Sequence, residues 1–152
     1  MKYPTIVMLI VFVGTDIDFA LAQSTPDEIA NKFFQLYQSK GSDDAVEYIF
    51  STNKYAANSQ DAIDELKRNL KRASMSYGKF WGYELIVKKP AGRDFLMMTF
   101  LVKHDRDPLT FRILFYKPNE IWQVQNFKFD NKMDEELEEA SKATKAITAE
   151  SN

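Results

Sequence analysis

The pattern of apolar and polar positions changes period once along this chain, near residue 78. Before that point it is helical. Ile29, Phe33, Leu36 and Tyr37 recur at helical spacing behind Thr25-Pro26-Asp27-Glu28, where Thr25 is an N-cap, Pro26 suits the first helical position and Glu28 completes a capping box. Gly41 marks the stop of this helix. Ser42 reads as the cap of a short second helix reaching about Phe50, with Asp43 and Asp44 in the first turn, where the helix dipole favours acids. The polar, turn-rich stretch 51–58 reads as a loop. Ser59 then caps a longer helix that carries Ile63, Leu66, Leu70, Ala73 and Tyr77 on one stripe, and Gly78 ends it.

After Lys79 the pattern is strand-like. Four apolar, β-branched and aromatic segments, 80–88, 95–103, 109–117 and 121–129, are separated by turn residues short enough for hairpins. Consecutive hairpins make an antiparallel meander. The second segment is apolar on both faces, which predicts a central strand buried on both sides. The third alternates, with Leu109, Phe111, Ile113 and Phe115 on one face and Thr110, Arg112, Leu114 and Tyr116 on the other. The fourth breaks parity: Trp122 and Val124 share a face, while Phe127 and Phe129 fall on the opposite one. One extra residue near Gln125-Asn126 restores all four to one side, so the spacing predicts a β-bulge there. A last, weakly apolar helix is expected from about Asn131, fraying towards the end of a tail spanning 132–152.

Residues 1–22 read differently from the rest. Lys2, the apolar run 6–13 and Ala20-Leu21-Ala22 form the pattern of a signal peptide cleaved before Gln23, and the run is too short to span a bilayer. The expectation is an exported protein, periplasmic or secreted, without a membrane anchor after cleavage. The remaining domain covers 23–131 and is of the α+β class, with N-terminal helices packed on a curved four-stranded antiparallel meander and a C-terminal helix. It contains no cysteine, so its core rests on apolar burial alone. A formal net charge of −2 argues against nucleic acid as a partner. The basic run 67–72 follows Asp61, Asp64 and Glu65 on the same helix and reads as a solvated face.

The opening helix with Phe33-Phe34 and Tyr37, the meander, and the closing run from Trp122 to Phe127 together resemble the nuclear transport factor 2-like (cystatin-like) α+β superfamily. The stretches 77–84 and 115–118 also resemble small exported bacterial proteins of no known function. The superfamily includes isomerases, dehydratases, small-ligand binders and dimeric adaptors, so the resemblance implies a fold rather than an activity. It allows a homodimer through the sheet. It also allows a small isomerase or lyase of the ketosteroid-isomerase type, whose sites place an Asp or His base and Tyr donors between helices and sheet.

Candidate site residues are few. His104, the one histidine, stands beside Asp105-Arg106-Asp107 at a strand end, where solvent is expected to keep it ordinary and the neighbouring charges to pair locally. Tyr37, Tyr83, Glu84, Arg112 and Tyr116 are candidate ligand-binding residues, with Arg112 and Tyr116 on one strand face able to hold an anion together. Glu84 is expected to face solvent or to pair with a cation such as Arg112. No nucleophile elbow, zinc-protease helix motif or phosphate-cradling glycine loop is present. No catalytic residue, metal site or cofactor is assigned. The expectation is a non-catalytic module binding a small ligand on the concave face of its sheet or a protein partner on the outer face, with the isomerase or lyase as the alternative.

Overall fold

The computed structural model describes residues 24–135 and 137. The expected signal segment and most of the expected tail helix lie outside them. The chain runs α1 (Pro26–Ser39), α2 (Ser42–Ser51), a 3-10 turn (Ala56–Ser59), α3 (Gln60–Tyr77), then β1 (Phe80–Pro90), β2 (Phe95–His104), β3 (Leu109–Tyr116) and β4 (Gln123–Asp130). The strands form one antiparallel sheet in sequence order, and helical residues resume at Met133. The stretch read as a loop thus contains a 3-10 turn.

The caps explain where the helices begin and end. Thr25 and Glu28 form the reciprocal capping box, with the Thr25 amide donating to the Glu28 carboxylate at 2.7 Å. Ser42 is not the cap of α2. Gly41 holds that position at φ +101°, and Ser42 is the first helical residue, its hydroxyl turned to Asp43. Ser59 does precede α3, but its side chain makes no cap hydrogen bond.

One face of the sheet packs under the helices. Phe33, Phe34 and Tyr37 of α1, Ile49 of α2 and Leu70 of α3 meet Phe100, Phe111, Phe115 and Val124 in a single buried cluster. Phe34 stacks on Tyr83 with ring centroids 3.7 Å apart and meets Phe100 edge-on at 5.1 Å. Such aromatic pairs contribute about 0.5–1.5 kcal/mol each beyond the area they bury. β2 is central, as expected, but not evenly buried. Leu96, Met98, Phe100 and Val102 are closed off by the helices, whereas Phe95, Met97 and Leu101 on the opposite face are only half-buried.

The bulge expected in the last strand is present. Phe115 pairs with Val124 and Leu114 with Asn126, so Gln125 is the extra residue, and Trp122, Val124, Phe127 and Phe129 all pack against the core. Two further irregularities in β1, at Trp81 and Ile86, are not readable from parity. β1 is an edge strand with Leu85, Ile86 and Val87 exposed. Its bulges, Lys88-Lys89 and Pro90 interrupt the regular ladder that edge-to-edge pairing needs.

Candidate functional site

The other sheet edge builds a cleft. The chain leaving α2 is tied to β4 by two consecutive residues. Thr52 Oγ1 donates to the Ile49 carbonyl at 2.6 Å and accepts the Val124 amide at 2.9 Å. Asn53 Nδ2 donates to the Val124 carbonyl at 3.1 Å, and its Oδ1 accepts the Tyr55 amide at 3.0 Å. Thr52 and Asn53 therefore stand in for a neighbouring strand at one position of β4. Beyond this latch the bulge bends β4, and the 3-10 turn and first turns of α3 arch across from it. A cleft of about 650 Å³ opens between them, within the size range of small-molecule sites.

Its walls differ in character. Phe50, Ile63, Leu66 and Phe127 supply an apolar side and floor, while Gln123, Gln125 and Asn126 line the β4 side with amides. Tyr55 and Tyr116, 60% and 38% exposed, offer ring surface, with the Lys54 ammonium over one face of Tyr55 at 5.0 Å and Phe95 beside Tyr116. None of the lining residues carries a charge.

Of the six residues selected from the sequence, only Tyr116 lies in this cleft. Tyr37 and His104 meet elsewhere, across α1 and β2, beside a separate cleft of about 410 Å³. There Ser74 Oγ donates to the Leu70 carbonyl at 2.9 Å, so the Tyr37 hydroxyl, 2.5 Å from Ser74 Oγ, is the donor of that pair. The Tyr37 oxygen is then left to accept from His104 Nε2 at 3.2 Å. Burial holds the His104 imidazole below its ordinary value, opposed by the Val102 carbonyl and the Asp105 carboxylate. Burial likewise raises the Tyr37 phenol, opposed by the hydrogen bond to Ser74. His104 is thus not the ordinary solvated histidine expected at a strand end. Its Nδ1 is buried, with no partner in hydrogen-bond geometry.

Nor do the neighbouring charges pair with each other. Asp105 accepts the Trp81 indole at 2.6 Å and the Lys79 amide at 2.8 Å, and these bonds hold its carboxyl below the usual range. The Arg106 amide and guanidinium donate to the Tyr77 and Ser76 carbonyls. The β2–β3 turn therefore clamps the corner where α3 passes into β1. Among the described residues no group of three or more His, Cys, Asp or Glu is placed to hold a metal ion.

The remaining candidates are committed to other contacts. Tyr83 stacks on Phe34 and donates to Asn31 at 2.7 Å. Glu84 faces solvent and pairs with Lys103 at 2.9 Å, not with Arg112. Arg112 pairs with Asp130 at 2.6 Å. Four residues along a strand, roughly 13 Å, separate it from Tyr116. On α3, Lys67 pairs with Glu47 and Lys71 with Asp43, both acids of α2.

Fold and site together define an α+β domain with helices on one sheet face and an open, uncharged cleft at the edge of its last strand. Comparison with known protein families, curated proteins and solved structures finds no match to this chain.

Proposed function

We propose that this chain is an exported, non-catalytic module that binds an uncharged small ligand in the cleft between α3 and β4. The observation that carries the reading is the chemistry of that cleft: apolar floor, amide rail, exposed tyrosines and no ionised group. Acid–base catalysis needs a titrating side chain within hydrogen-bond reach of the reacting proton, and the lining holds no His, Asp, Glu, Lys or Cys to supply one. The signal-like pattern of residues 1–22 supports export, and the bulged closing strand under a helical layer supports a nuclear transport factor 2-like assignment.

The isomerase or lyase reading has one observation in its favour, the Tyr37–His104 contact beside the smaller cleft. It is the weaker reading. Nε2 is engaged by Tyr37 and Nδ1 is buried, so neither ring nitrogen is left for a substrate proton.

The test is titration with Nile red, a neutral dye that brightens in apolar surroundings. Saturable binding that is lost in Ala62→Trp, which fills the larger cleft, is expected. Binding unaffected by Ala62→Trp but abolished by a bulky residue at Ser74 would move the site to the other cleft.

A further inference from the structure

The apolar floor alone does not account for the β4 side of the cleft. The bulge leaves Gln125 unpaired in the ladder and sets Gln123, Gln125 and Asn126 along one side, each with an amide that both donates and accepts. Asn53 is different, because both of its amide atoms already bind backbone. A purely apolar ligand lying against the other three would strip them of water without replacing the lost hydrogen bonds, at about 1–3 kcal/mol for each group left unpaired. A cationic ligand would fare worse, since no lining residue supplies a counter-charge, and an anionic one would meet only the Lys54 ammonium, which lies over Tyr55 at the margin. The groups present match a ligand that is neutral, carries donors and acceptors along its length, and has apolar ring faces for Tyr55 and Tyr116. Those two tyrosines bring large contact surfaces with few rotatable bonds.

We propose that the cleft binds a neutral oligosaccharide, its sugar rings stacked through their C–H faces on Tyr116 and Tyr55 and its hydroxyls bonded to the amides of Gln123, Gln125 and Asn126. The proposal rests on the reading of this cleft as the ligand site.

The experiment is an array of neutral and acidic glycans probed with the mature protein, followed by calorimetry on the hits and by Nile red titration of the same preparation. Neutral oligosaccharides bind with micromolar to millimolar Kd. Tyr116→Ala and Gln125→Ala weaken them tenfold or more, Tyr116→Phe retains them, and Lys79→Ala, in the other cleft, changes nothing. Circular dichroism confirms that each variant is folded. Nile red binding without any neutral glycan overturns the oligosaccharide and leaves the ligand site standing. Binding of acidic glycans alone also overturns it, and the absence of both kinds of binding removes the ligand site as well.

Discussion

Replacing Thr52 with Val tests whether the α2–β4 latch is a structural tie of the cleft. The substitution keeps the branched shape and removes the hydroxyl. Val124 is wholly buried, and its amide has Thr52 Oγ1 as acceptor, so the variant leaves a buried N–H without a partner. The cost of such an orphaned donor is about 1–3 kcal/mol. Loss of the hydroxyl's own bond to the Ile49 carbonyl adds little, because that carbonyl still has the residue 52 amide within 3.3 Å. Ser51→Ala is the internal control: Ser51 makes the same kind of bond, to the Tyr48 carbonyl at 2.6 Å, but is exposed. It should cost no more than about 0.5 kcal/mol. Urea unfolding separates the two. With a slope of about 1–3 kcal/mol per molar, a 2 kcal/mol loss moves the midpoint by roughly 1 M at an unchanged slope. Equal midpoints for Thr52→Val and Ser51→Ala would refute the latch, and with it the account of how the cleft wall is held.

Three further outcomes follow from the packing. Leu70→Ala, at a fully buried site on α3, should destabilise by about 2–5 kcal/mol, against about 0.5 or less for exposed Lys71→Ala; chemical denaturation distinguishes them. Gly78→Ala should be destabilising, because φ is +89° and the added carbon would stand 2.8 Å from Asp105 Oδ2, whereas Gly41→Ala meets no atom within 4 Å and carries only the backbone strain; paired melting curves show the difference. Stability should fall on acidification through about pH 6.5, because the unfolded chain binds the His104 proton more tightly than the folded one. That contribution is complete above this value and is lost as the pH falls from it through the lower folded-state value, and His104→Gln should flatten the profile just below about pH 6.5.

The elements were legible where local chemistry decides them. The capping box at Thr25, the stop at Gly78 and the parity break between Val124 and Phe127 each name their structural consequence within a few residues. What was not legible depends on residues distant in the chain. His104 reads as solvated until α1 places Tyr37, 67 residues away, against its ring. The charges beside it read as self-paired until the α3–β1 corner brings Trp81 and the Lys79 amide to Asp105. The cleft was missed for a similar reason. Nothing in the spacing marks Gln123, Gln125 and Asn126 as a wall, and only the bulge together with the arch of the 3-10 turn makes them one. The signal was present in the parity break, since bulges recur where a sheet re-aims side chains toward a site.

The central claim is that the α3–β4 cleft is where this protein binds. Amide-resolved NMR during titration with a neutral ligand tests it most directly. The account predicts saturating shifts at Ala62, Leu66, Gln123, Gln125 and Asn126, with little change at Ser74, Lys79 and His104. Shifts confined to the latter group, or spread evenly over the sheet without saturation, would contradict it.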